Sequence, residues 1–228
     1  MTLDDLENMT GIKFKSRDLL TQAFIHRSFL NEDRTSKQSN ERLEFLGDAV
    51  LSFLTSHYLY TKFAEFPEGT LTNIRSGLVK TKTLSRIADT LGLGNLLFLS
   101  RGEEESGGRK NPSLLADAFE AYLGAMFLDR GIEICRDFLT GYLFPVAQEI
   151  VDKKAYIDFK SHLQEIIQEI SKNSPVYRVI RSEGPDHNKI FWVEVLSGEK
   201  ALGSGSGKSK QEAEQSAASD ALEKIGQS

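Results

Sequence analysis

SLLADAFEAYLGAMFL, residues 113–128, decides how the front of this chain is read. From Leu114 to Leu128 twelve of fifteen residues are apolar, and the exceptions are Gly124 and two acids, Asp117 and Glu120. Such a segment is expected to be a helix buried nearly all round. Asp117 and Glu120 stand at i and i+3, so they share one face of it. On a mixed helix a solvated acidic stripe would be the ordinary reading. Here the remaining circumference is apolar, and no Lys or Arg lies between Asn111 and Asp129 to neutralise the pair. Buried carboxylates are costly unless paired, protonated or bound to a cation.

NERLEFLGDAVLSFL, residues 40–54, repeats the anomaly. Glu41, Glu44 and Asp48 fall at i, i+3 and i+7, a stripe roughly 60° wide. Leu43, Phe45, Leu46, Ala49, Val50, Phe53 and Leu54 fill most of the remainder, and Arg42 can balance one acid at best. Two apolar helices with narrow acidic stripes are expected to turn those stripes toward each other. Four or five carboxylates at one place call for a divalent cation. Oxygen-only ligands suit Mg²⁺, with Mn²⁺ as a substitute. Zinc is disfavoured because neither stripe holds Cys or His, and a ferritin-like di-iron centre needs Glu-x-x-His pairs that are missing. His57 follows Asp48 by nine residues, about half a turn away from the stripe, and reads as a partly buried histidine. All-carboxylate Mg²⁺ sites usually handle phosphates. Spacing and burial therefore lead to metal-dependent phosphoryl or phosphodiester chemistry, and no further.

Around these two segments, residues 1–150 read as helical throughout. Apolar periodicity marks Leu19–Phe29, Leu43–Tyr60, Leu71–Leu91, Leu114–Leu128 and Ile132–Ile150. Asn40 and Ser113 are candidate helix caps, and Asn31–Ser39 and Arg101–Asn111 read as loops. VDKKAY, residues 151–156, is a short charged connector. Beyond it the texture changes. Phe159, Leu163, Ile166 and Ile170 mark one amphipathic helix, and PVYRVIRSEG, KIFWVEVLSG and KALGSGSG are strand candidates. A glycine/serine turn then feeds a last helix from about Ser209 to Ile225.

That rear module, α-β-β-β-α, carries its own signals. GSGSGKS lacks the Gly that a P-loop requires, since Leu202 stands there. What remains is a helix N-terminus with Lys208, Ser209 and Lys210 at its start, a phosphate-binding arrangement that is as often a simple turn with solvated lysines. Ser161, Gln164 and Gln168 line the exposed face of the first helix, and His187 lies in the loop between two strands. Neutral hydrogen-bonding groups of this kind suit ribose hydroxyls and base edges in the shallow minor groove of A-form RNA.

The bulk numbers restrict these readings. The 228 residues carry 28 basic and 33 acidic side chains, a net charge of −5. Splitting the chain near residue 154 leaves both parts acidic, with 19 basic and 22 acidic residues in front. A nucleic-acid partner must therefore be held by local placement of charge. Cys135 is the single cysteine, which excludes a disulfide framework and a cysteine-rich metal site. No apolar run reaches membrane-spanning length, and MTLDDLENMTGIKF has neither the basic start nor the apolar block of a signal peptide. A cytoplasmic location, no membrane partner and no small-molecule cofactor are expected.

At this point the chain resembles the bacterial ribonuclease III family. NERLEFLGDAVL (40–51), PEGTLTNIRSGLV (67–79) and GEEESGGRKNPSLLADAFEAYLGAMFLDRG (102–131) are similar to its landmarks in the same order, and the module with GSGKSKQEAEQSAA (205–218) is similar to a double-stranded-RNA-binding domain. The resemblance implies an all-α N-terminal endonuclease domain (1–150), a linker (151–156) and a small α+β double-stranded-RNA-binding domain (157–228). It implies a homodimer that cuts double-stranded RNA with Mg²⁺, leaving 5′-phosphate, 3′-hydroxyl and short 3′ overhangs, in processing of ribosomal RNA precursors and other structured transcripts. The family's metal-site acids fall on Glu44, Asp48, Asp117 and Glu120, with Asp48 and Glu120 in the catalytic positions. Glu41 and Glu68 match supporting acids, and Phe45 matches a residue that enters a pocket of the partner subunit. Ser161, Gln164 and His187 match minor-groove contacts, and Ser209 and Lys210 match phosphate contacts. Two positions depart: Gln211 stands where a second basic residue is common, with Lys208 a candidate replacement, and Ile25 stands where Thr is common. Two rivals remain, a non-catalytic duplex-RNA binder and a helical phosphohydrolase acting on nucleotides.

Overall fold

The computed structural model describes residues 1–32, 38–153, 156–185 and 188–226. It divides into two compact units, Met1–Tyr156 and Ile157–Ser228.

The first unit is helical. α1 (Leu3–Thr10) opens on a reciprocal cap between Thr2 and Asp5 and ends at Gly11, whose φ of 71° is left-handed. α2 (Arg17–Gln22) follows, then α3 (Glu41–Lys62), α4 (Glu68–Val79), α5 (Thr81–Thr90), α6 (Arg101–Glu105), α7 (Pro112–Arg130), α8 (Ile132–Tyr142) and α9 (Pro145–Asp152). The core gathers Leu51 and Leu54 of α3, Leu84 and Ala88 of α5, and Phe119, Tyr122, Leu123 and Met126 of α7. Each fully buried Leu or Phe contributes about 1.5–3 kcal/mol, which is why the central pair, α3 and α7, is apolar on nearly every side that meets protein.

Three of the helices expected from periodicity are broken. The 19–29 segment leaves its helix at Ala23, and a separate 3-10 turn forms at Arg27–Asn31. Tertiary pairing causes this: the Phe98 N–H donates to Phe24 O (2.9 Å) and the His26 N–H donates to Phe98 O (3.1 Å). Ile25 is buried and bridges Phe98. The 71–91 segment turns at Lys80, whose ψ of 148° is extended, while apolar periodicity continues on both sides. The 132–150 segment breaks before Pro145, which lacks the N–H that would continue a helix and sits at the start of α9 instead.

Smaller expectations also change. The 101–111 stretch, expected as a loop, holds α6 and a 3-10 turn, braced by Arg109 donating to the carbonyls of Gly94 (3.1 Å) and Leu97 (2.8 Å). Asn40 stands at the N-cap position of α3 but makes no side-chain cap. It is buried, and its side-chain amide donates to Ala23 O (3.3 Å). α7 is capped by Asn111, which accepts from the Ser113 N–H (2.9 Å), with Pro112 in the first turn. Among the described residues no helix is long and apolar enough to cross a membrane.

The second unit holds α10 (Phe159–Ser171), a sheet of β1 (Val176–Glu183), β2 (Ile190–Ser197) and β3 (Lys200–Gly207), and α11 (Lys210–Ile225). The strands are antiparallel in the order β1-β2-β3, with Val179 opposite Val193 and Val193 opposite Gly205. Leu163, Ile167, Val193, Val195, Ala213, Ala217, Ala221 and Leu222 form its core. The strand expected at KALGSGSG is β3, so Gly203, Gly205 and Gly207, which also read as a turn feeding α11, all belong to strand. Their alternation lays bare backbone against the alanines of α11. A Cβ on Gly205 would stand 2.3 Å from the Ala217 nitrogen.

Candidate metal centre and nucleic-acid interface

The acidic stripes meet because two glycines let α3 and α7 touch backbone to backbone. A Cβ on Gly47 would lie 1.8 Å from the Glu120 carbonyl oxygen, and one on Gly124 would lie 2.1 Å from that of Leu43. Glu44 sits one turn before Asp48, and Asp117 and Glu120 one turn apart across the seam. Carboxylate oxygens of Glu44, Asp117 and Glu120 all fall within 4.8 Å of one another. All three side chains are half-buried. No Lys or Arg forms an ion pair with any of them among the described residues.

Electrostatics follow from that crowding. Burial, then the charges of Asp48, Glu44 and Asp117, push Glu120 up to about 8 from an ordinary 4.5. Burial, then Asp117, Glu41 and Asp48, also raise Glu44. Burial raises Asp117, against the opposing positive influence of His26 and Arg27. Three close carboxylates, with only the more distant influence of His26 and Arg27 on Asp117 to oppose their repulsion, favour holding a proton where a cation would relieve them. An all-oxygen donor set of this kind fits a hard divalent ion and offers nothing to zinc or copper.

The remaining acids stand around this group. Asp48 is exposed and outside the close triad, though near enough for its charge to raise both Glu44 and Glu120. Glu41 accepts from the Ser39 hydroxyl (2.8 Å) and lies 3.7 Å from Arg27. Glu68 starts α4, accepts from the Thr72 hydroxyl (2.9 Å), and lines a cavity of about 450 Å³ with Phe53, His57, Tyr60, Leu71 and Arg75. His57, expected partly buried, is exposed, with its ring tilted by 36° against Phe53 at 6.4 Å. Phe45 is 81% exposed, with Phe53 and Tyr60 also open on α3. One face of the helix read as apolar all round is thus uncovered in the single chain.

In the second unit Ser161, Gln164 and Gln168 are exposed on α10. The Ser161 hydroxyl donates to Asp158 (2.7 Å), whose carboxylate also accepts from Gln215 of α11 (2.8 Å). Those hydrogen bonds hold Asp158 below the usual carboxylate range. Ser209 caps α11, accepting from the Glu212 N–H (3.1 Å), and Lys208, Lys210 and Gln211 are exposed beside it. His187 lies outside the described residues.

Comparison with known proteins bears on both units. A model described as Ribonuclease-III-like matches residues 16–147, and one for the double-stranded RNA binding motif matches residues 159–225. "Ribonuclease 3" of Oceanobacillus iheyensis is 45% identical over 229 residues, covering 100% of both chains. The chain belongs to the ribonuclease III family. "Ribonuclease 3" of Bacillus cereus is 46% identical over 216 residues, 94% of this chain and 88% of that one. A solved nuclease domain of ribonuclease III from Campylobacter jejuni superposes with a TM-score of 0.57 at 40% identity, covering 61% of this chain and 94% of that one. The all-α unit followed by an α+β unit is therefore the ribonuclease III architecture. Within it, sequence reasoning missed Gly47 and Gly124. The available signal was a glycine inside each of two long helices, one turn from an acid.

Proposed function

We propose that this chain is an endoribonuclease that hydrolyses phosphodiester bonds in double-stranded RNA with Mg²⁺, for which Mn²⁺ can substitute. The observation that carries it is the convergence of Glu44, Asp117 and Glu120 within 4.8 Å in a member of the ribonuclease III family. Glu44, Asp48, Asp117 and Glu120 would hold the ion, directly or through water, with Asp48 and Glu120 in the catalytic role. When bound, the ion supplies Lewis acidity toward phosphate oxygens and lowers the pKa of a water. The protein's share is to present ionised carboxylates in fixed positions: Glu120 gives up the proton it holds when alone, and the α3–α7 seam keeps the donors from spreading. Glu41 and Glu68 support the site from its margins.

The products are 5′-phosphate and 3′-hydroxyl ends with short 3′ overhangs, one strand being cut by each subunit of a homodimer. The exposed Phe45 and the 450 Å³ cavity further along α3 support that assembly, as does the Campylobacter jejuni nuclease domain, described with a region involved in dimer formation. Residues 157–228 bind the duplex: Ser161, Gln164 and His187 in the minor groove, and Lys208, Ser209 and Lys210 at phosphates. The endonuclease domain is assigned to residues 1–150 and the linker to 151–156, whose first two residues continue α9. The cellular role is cytoplasmic processing of ribosomal RNA precursors and other structured transcripts.

The test is incubation of the purified chain with a labelled RNA duplex, with and without Mg²⁺. Short duplex fragments with 3′ overhangs should form with the metal alone. Duplex binding without cleavage under both conditions would refute the enzyme and leave a binding protein.

A further inference from the structure

We propose a second phosphate site in the first unit, in a cavity of about 190 Å³ between α4, α5 and α9. Its walls carry Lys80, Lys82, Arg86 and Lys153, over a floor that includes Val146 and Ile150. One acid reaches it, Glu149, and that carboxylate lies 3.7 Å from Lys153 one helical turn away. Lys80, Lys82 and Arg86 are exposed and have no ion-pair partner among the described residues.

Two features of the chain make this cavity distinctive. The sequence from Gly69 to Ala88 contains Arg75, Lys80, Lys82 and Arg86 and no acid, in a protein whose net charge is −5. Folding then adds Lys153, just past the end of α9 and distant in sequence, to the same cavity. Converging cations repel one another as converging carboxylates do, and an anion relieves them.

The chemistry favours phosphate as that anion. Arg presents a planar fork matched to phosphate oxygens, and the lysines add point charges around it. Lys80, Lys82 and Thr83 place the start of α5 at the cavity, and a helix N-terminus adds its free amides and dipole. The apolar floor excludes water from one side and strengthens each charge contact. At about 30 Å³ per water the space holds roughly six waters, enough for one phosphate group with part of its shell. The source is either a backbone phosphate of RNA or a free phosphate compound.

The experiment uses the full chain and a Lys82→Gln/Arg86→Gln double variant, with Lys62→Gln as a charge control. Inorganic phosphate binding is followed by ³¹P line broadening, and duplex-RNA affinity is measured over a salt series without metal. The double variant, unlike the control, should bind phosphate at least about fivefold more weakly. A salt slope shallower by about 0.9 per lost contact assigns the site to the RNA backbone. An unchanged slope with lost phosphate binding assigns it to a free phosphate compound. If the double variant matches wild type in both measurements, the proposal is wrong. A wild-type chain that fails to bind duplex RNA at all would sink the RNA-cleaving function while leaving the phosphate measurement to judge this site.

Discussion

Gly47 and Gly124 meet where α3 crosses α7, so closely that a methyl on Gly124 would stand 3.1 Å from the Gly47 nitrogen and one on Gly47 would overlap the Glu120 carbonyl. Backbone cannot yield as a side-chain tip can, so the helices themselves would have to separate. Gly47→Ala should destabilise the chain by about 3 kcal/mol and weaken Mn²⁺ binding more than about tenfold. Urea unfolding and Mn²⁺ titration check this. An unchanged unfolding midpoint would mean that the seam is looser than described.

Glu120→Gln keeps the shape and removes the charge. Loss of partners merely outside a metal's ligands costs 10–100-fold, so cleavage of duplex RNA should fall by more than about a hundredfold. Affinity for uncut duplex, measured without metal, should stay within about twofold because Glu120 is not among the residues proposed to bind RNA. Retained cleavage would remove Glu120 from the metal site.

The metal-free protein should lose stability as pH rises. Between the ordinary 4.5 of Glu120 and its folded value of about 8, the folded chain holds a proton that the unfolded chain has released. Raising pH therefore favours unfolding across that window and has no further effect above it. The upward shifts of Glu44 and Asp117 act in the same direction. After allowance for solvent screening the loss is on the order of 1–2 kcal/mol, a few degrees in melting temperature. Under the proposed function Mg²⁺ is held by the ionised form and should restore more stability at about pH 8.5 than at about pH 5.5. Melting curves in chelator and in Mg²⁺ decide it, and a rise in stability with pH in chelator would contradict the site's electrostatics.

Phe45→Ala should leave the fold intact, because the side chain is 81% exposed. Its effect should appear in self-association, weakened by about 2 kcal/mol, or roughly 30-fold, as for a central aromatic anchor. Sedimentation equilibrium reads it directly, and an unaltered association constant would place the dimer contact elsewhere.

Much of the site was legible because helical periodicity converts spacing into direction. Asp117 and Glu120 had to share a face whatever surrounded them, and so did Glu44 and Asp48. Helix ends were less legible. Asn40 has a capping residue's chemistry yet spends its amide on Ala23, a partner seventeen residues away that no local pattern reveals. Lys80 and Phe144 break helices inside continuous apolar periodicity, since two helices that bury the same side keep the rhythm across their joint. KALGSGSG was legible as a strand candidate, but that its glycines lie under α11 is a property of packing.

The sequence by itself determined the two-part architecture, the family, and the presence of carboxylates that a buried helix cannot carry uncompensated. These follow from local rules, side-chain period and charge balance, which act along the chain. The tertiary structure alone decided that Glu44, Asp117 and Glu120 close to within 4.8 Å while Asp48 stands exposed outside them. It also brought Lys153 to the cations of α5. Both outcomes depend on how closely distant segments approach, and that distance is set by glycine contacts and core packing.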